Sequence, residues 1–266
     1  MSENSLVKDR RSRNTRLAFI WCTVPFLLLM FGGLILAGFL VPVAPSHTAA
    51  QVAHEYRSHN GRIKAGIALS FVSNIPFLLL GAALAAQLRR IESARSVLTY
   101  AQIAAFSAGS LIFVIPWICW ETAAYRVERS DTEIALLNDL GWMAFVFSYV
   151  AFTAWNIAIA LAIFQDSDAK PMYPRWVGYF TLFVGITFIP DNLIPFFKTG
   201  PFAWNGLIPY YIPFFWFGTW CLVMLAMTVN AIHREAAEEL AVQPGAPSAG
   251  AAEPELAPAA TSGVGR

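Results

Sequence analysis

One acidic residue sits where only hydrocarbon-compatible side chains are expected. The string Ile189-Pro190-Asp191-Asn192-Leu193-Ile194-Pro195 places a carboxylic acid inside an apolar run. An ionised group there is costly, so it marks a functional site by default. Pro190 and Pro195 each remove a backbone N–H, so a helix through them bends and leaves carbonyls without partners. A carboxylate beside freed carbonyls can bind a cation or a polar solute, which is how interrupted helices in transporters make their sites. Glu121, Asp139 and Lys198 fall at the same end of neighbouring apolar stretches. The sequence therefore predicts a polar site built from Asp191, Asn192, Glu121, Asp139 and Lys198. In the competing reading Lys198 or Arg126 neutralises Asp191, which then only anchors a helix end. In a third, Glu121, Asp139 and Asp191 serve as acid and base toward a lipid, but they lack a recognisable partner set.

Other chemistries are excluded by what is missing. His47, His54, His59 and His233 all fall outside the apolar stretches, so a haem or His-rich metal centre within them has no ligands. There is no His-Glu-x-x-His, no Gly-x-Ser-x-Gly and no Gly-x-x-x-x-Gly-Lys string. Cys22, Cys119 and Cys221 form no Cys-x-x-Cys pair and lie in apolar surroundings, as small buried hydrophobes do. No catalytic residue, no metal and no cofactor is expected. A net charge of +1 without a basic stripe gives no nucleic-acid signal.

The elements that must position Asp191 follow from composition. With 57% hydrophobic and 13% charged residues and a mean hydropathy of +0.53, the chain carries more apolar surface than a water-soluble core absorbs. Crossing a bilayer core of about 30 Å takes about 20 apolar residues in a helix, because every backbone polar group must be satisfied within the segment. Six stretches qualify: residues 17–41, 63–88, 97–120, 141–164, 176–197 and 206–232. The sequence thus predicts an all-α polytopic transmembrane bundle of six helices over 17–232, after a basic tail (1–16). Residues 233–266 follow as a short helix and an Ala/Pro-rich tail expected to stay unstructured. The first stretch is too long for a signal peptide and reads as a retained anchor.

Cations in short loops set orientation. Lys8, Arg10, Arg11, Arg13 and Arg16 in the first tail, with Arg89, Arg90, Arg95, Lys170, Arg175 and Arg234, favour both termini inside. Arg57, Arg62, Lys64, Arg126 and Arg129 weaken the bias. Trp117, Trp120, Trp142 and Trp204 are expected near the outer interface, where amphipathic rings concentrate. Ser46 is the expected cap of a short helix resting on the outer membrane surface, with Ala49, Val52, Ala53 and Tyr56 on one face. Gly33 with Ala37 and Gly81 with Ala85 suit close packing inside one bundle. Asn74, Gln102 and Asn156 suit hydrogen bonds between helices.

Three strings carry a resemblance: Leu136-Leu137-Asn138-Asp139-Leu140-Gly141-Trp142, Pro174-Arg175-Trp176-Val177-Gly178-Tyr179, and Phe197-Lys198-Thr199-Gly200-Pro201-Phe202-Ala203-Trp204-Asn205-Gly206. They resemble a group of uncharacterised actinobacterial multi-pass membrane proteins. That resemblance implies a bacterial cytoplasmic (cell) membrane and the helix count, and carries over no activity. The function expected is an integral membrane protein, embedded in a lipid bilayer, that binds or conducts a small solute or ion through the site around Asp191. The alternative is a structural or accessory subunit. Oligomeric state is not encoded.

Overall fold

In a computed structural model the protein is all-helical, and residues 3–92 and 96–241 are described; no strand occurs among them. Six helical segments are long and apolar enough to cross a membrane: Arg10–Ala37, Asn60–Glu92, Val97–Tyr125, Asp131–Gln165, Arg175–Phe196 and Leu207–Glu238. They match the six expected stretches in order; most extend further at one end or both, the fourth by ten residues at its start, while the first stops short of its expected end. The basic first tail is itself helical, in α1 (Glu3–Trp21). Residues 242–266, expected to be unstructured, lie outside the described residues, as does Arg95 of the second loop. The chain divides into two units, Met1–Ile232 and His233–Arg266. Of the second, residues 233–241 are helical.

Most spans are interrupted, and proline marks where. The first breaks at Cys22 between α1 and α2 (Thr23–Ala37), with Pro25 in the new first turn. The second breaks at Ser73 between α4 (Asn60–Val72) and α5 (Asn74–Glu92), with Pro76 following. The third breaks through a 3-10 turn, Leu111–Phe113, between α6 (Val97–Ser110) and α7 (Ile115–Tyr125), where Pro116 follows. In each case proline occupies an early helical position, where its missing N–H costs nothing. The fourth span breaks between α8 (Asp131–Val146) and α9 (Val150–Gln165) without proline or glycine. The fifth runs from α10 (Arg175–Thr187) into a 3-10 segment, Ile189–Phe196, and the sixth opens with a π turn, Leu207–Tyr211, before α11 (Ile212–Ala241).

The first span ends at Ala37, four residues short of the expected end. Gly38 adopts φ +82 and its N–H donates to the Ile35 carbonyl, while Phe39 N–H reaches Leu34 O at 2.8 Å. This left-handed cap suits glycine and satisfies the terminal carbonyls. Close packing follows the small residues: a Cβ on Gly66 would lie 2.5 Å from Gly33 O and 2.4 Å from Ala37 N. Gly33 and Ala37 therefore serve the contact of α2 with α4 inside the bundle.

The short α3 (Ala49–Ser58) differs from expectation in two ways. Its cap is Thr48, not Ser46, because Gln51 completes a reciprocal capping box with Thr48. Its face of Val52, Ala53 and Tyr56 is buried against α8 rather than laid on a membrane surface. Arg57 fastens it, with Nη1 2.7 Å from Asp131 Oδ1 and Nε and Nη2 donating to the carbonyls of Val127 and Arg129.

Candidate functional site

Helix breaks converge on one place. The 3-10 turn of the third span brings Ile112 and Phe113, the fourth-span break brings Phe145, Val146 and Phe152, and the fifth brings Phe188 and Asp191. The π turn and first two turns of α11 bring Pro209, Tyr210, Pro213, Phe214 and Phe217. Between them is a cavity of about 50 Å³. It holds a few waters, at roughly 10–15 Å³ each, or one small ion. Irregular turns are tolerated at membrane depth when they are buried or line a cavity, and π turns concentrate at functional sites.

Asp191 is the acidic group of that cavity. It is 1% exposed, and its Oδ1 has no hydrogen-bond partner. Among the described residues no cation forms an ion pair with it, so the reading in which Lys198 or Arg126 neutralises it is corrected. Arg126 instead lies 6.0 Å from the centre of its neighbour Tyr125's ring. A buried polar group without a partner costs about 1–3 kcal/mol, more when charged. The backbone N–H of Asp191 is used within the 3-10 turn, donating to Phe188 O at 3.1 Å.

The remaining predicted residues do not gather around Asp191. Asn192, next in sequence, points away and donates through Nδ2 to the Tyr149 hydroxyl. Asp139 is exposed on α8 and accepts from Asn138 Nδ2 at 3.0 Å, with Lys198 acting on it by charge without an ion-pair contact. Glu121 lines a separate crevice between α4 and α7 with Trp117. Asp191 and Glu121 line separate cavities, and Asp139 and Lys198, which act on each other by charge, line neither.

Two buried groups take roles that hydropathy does not announce. Asn138, 0% exposed, accepts at Oδ1 from Tyr56 Oη at 3.3 Å and from Trp142 Nε1 at 3.2 Å, and its carbonyl accepts from Trp120 Nε1 at 3.3 Å. Burial pushes the Tyr56 hydroxyl well above the usual tyrosine range, so it stays a donor. Trp117, Trp120 and Trp142 are fully buried and form a row, Trp117 stacked on Trp120 with ring centres 5.0 Å apart and Trp142 tilted against Trp120 at 4.6 Å. Tyr210, Phe113 and Phe214, which shape the cavity, carried no sequence signal beyond Pro209 and Pro213 beside two of them.

Of the deeper polar residues, Asn74 bonds between helices, donating to Phe113 O at 2.9 Å. Gln102 reaches Gly81 O at 3.5 Å, while Asn156 turns back to Phe152 O within its own helix at 2.8 Å. His59 Nδ1 meets Glu55 Oε2 at 3.1 Å, and no group of three potential metal ligands occurs among the described residues.

Six apolar spans around an aromatic core, with a buried carboxyl at their breaks, define a multi-pass membrane helix bundle of unknown activity. The family model described as Domain of unknown function (DUF4386) matches residues 22–225, and the chain belongs to that family. No curated protein and no solved structure matches it.

Proposed function

We propose that the cavity binds a small monovalent cation on its way through the membrane, with the Asp191 carboxylate as counter-charge. The observation that carries this reading is the buried carboxyl without a partner, facing a cavity otherwise walled by aromatic rings and aliphatic side chains. An anion so placed calls for a cation, and ring faces attract one, by about 2 kcal/mol or more when it is desolvated. The interrupted backbone of the surrounding spans supplies the hinges that transporters of this kind use.

The protein acts without covalent chemistry in this reading, in a bacterial cytoplasmic membrane with both termini inside. The orientation rests on the cations of the first tail. Arg57 and Arg129 of the opposing loops are engaged in structure, Arg129 Nη1 donating to Thr122 O at 2.6 Å, which accounts for basic residues on the other side.

Thermal unfolding of the purified full chain with added sodium, potassium, ammonium or choline chloride tests the proposal. At least one small cation should stabilise the protein, by about 2.7 kcal/mol at a hundredfold excess over Kd. Choline, too large for the cavity, should not, and Asp191→Asn should remove the response. An equal response in Asp191→Asn, or none in the parent, contradicts the proposal and favours a structural or accessory role.

A further inference from the structure

A second cavity lies away from Asp191, in the crevice between α4 and α7. It has a volume of about 380 Å³, large enough for part of an organic molecule. Ile67, Ala68 and Phe71 wall it on α4, and Ile118 on α7; Phe71 and Ile118 are 43% and 53% exposed, so the crevice opens on the outer surface of the bundle. Two of its residues carry polar atoms that are buried and unpaired, Trp117 Nε1 and Glu121 Oε2. Trp117 is 1% exposed, and its ring is held by Trp120 at 5.0 Å and Phe145 at 5.2 Å.

The two residues are four apart on one helix and so lie on one face, about 6 Å apart along the axis. Glu121 is one turn from the end of α7 at Tyr125, and Trp117 is one turn deeper. The indole N–H can only donate, whereas a carboxylate accepts. A single hydroxyl between them satisfies both, accepting from Trp117 and donating to Glu121. An ammonium group leaves the indole unpaired, and a phosphate meets the Glu121 carboxylate, whose charge Lys64 nearby only partly offsets. Below the polar pair the walls are apolar, in the direction of the bilayer interior.

We propose that this crevice binds an uncharged lipid through a free hydroxyl, the hydroxyl seated between Trp117 and Glu121 and the apolar body lying along Ile67, Phe71 and Ile118. The occupant enters sideways from the bilayer, because the exposed wall faces lipid in a membrane-spanning bundle. This site is independent of the cation reading of Asp191.

Native mass spectrometry of the full chain in detergent, titrated with dioctanoylglycerol, trioctanoylglycerol and dioctanoyl phosphatidic acid, tests it. Dioctanoylglycerol should bind one to one and at least tenfold more tightly than the other two, which lack the hydroxyl or add the phosphate. Trp117→Phe and Glu121→Leu should each weaken dioctanoylglycerol binding about tenfold, while Glu121→Gln, which still offers a carbonyl acceptor, should restore part of it. Ala68→Trp fills the crevice from its exposed rim without touching either polar group, so it reads out occupancy even where the core variants unfold, and it should abolish binding. Equal binding of the three lipids, no binding of any, or unchanged binding in Ala68→Trp overturns the proposal.

Discussion

Asn138 and Asp191 are buried to the same degree, at 0% and 1% exposure, yet their surroundings treat them oppositely. Around Asn138 the oxygen atoms accept from Tyr56, Trp120 and Trp142, and the amide donates to Asp139. Around Asp191 the walls are hydrocarbon and aromatic ring, and Oδ1 faces a cavity with nothing to accept from. A closed hydrogen-bond network fixes packing, whereas an unpaired acceptor beside a void holds its place at a cost. The contrast separates a residue that stabilises the fold from one whose energetic partner comes from outside it.

The largest effect should come from opening the closed network. Asn138→Leu leaves the Tyr56 hydroxyl and the Trp142 indole N–H without acceptors, at about 1–3 kcal/mol for each orphaned group. A loss of about 2–6 kcal/mol is expected, read as a lower midpoint of denaturant unfolding in detergent. The opposite sign is expected at the other site. Asp191→Leu removes an unpaired polar group and fills space beside the cavity, so in the absence of added cation it should gain about 1–3 kcal/mol.

Smaller effects sharpen the same comparison. Tyr56→Phe deletes one donor and leaves Asn138 Oδ1 its bond from Trp142, so it should cost about 1 kcal/mol, checked by the same midpoint. Asn192→Ala removes the bond to Tyr149 from an exposed side chain next to Asp191. It should cost about 0.5 kcal/mol or less while leaving the cation response in place. That separates the two neighbours in function, which adjacency in sequence does not.

Much of this is legible in the amino-acid sequence. The six spans follow from hydropathy, because a membrane demands a fixed length of satisfied helix, and Asp191 stands out as an acid between prolines. What the sequence conceals is rotation about each helix axis. Glu121, Asp139 and Asp191 are expected at one end of their spans, but which neighbour each meets depends on side-chain packing around the bundle, and Asp191 and Glu121 line separate cavities. Trp120 and Trp142 show the same limit, since rings suited to an interface are taken into the core where Asn138 supplies acceptors.

Some breaks are readable and others not. Pro25, Pro76 and Pro116 each announce a new helical start, and Thr48 with Gln51 spells a capping box that Ser46 lacks. The fourth span interrupts at residues 147–149 with no proline or glycine, and the composition there gives no local reason for it. That break places Phe145 and Phe152 on the cavity, so their part of its wall is the least legible part of the site.

The most direct test compares Asn138→Leu and Asp191→Leu in one unfolding experiment, each with and without saturating small cation. Asp191→Leu should match or exceed the stability of the parent protein without cation and gain nothing when cation is added. Asn138→Leu should be markedly less stable, yet keep the cation-induced gain. If Asp191→Leu instead loses stability as Asn138→Leu does, Asp191 is a structural residue and the account of the cavity is wrong.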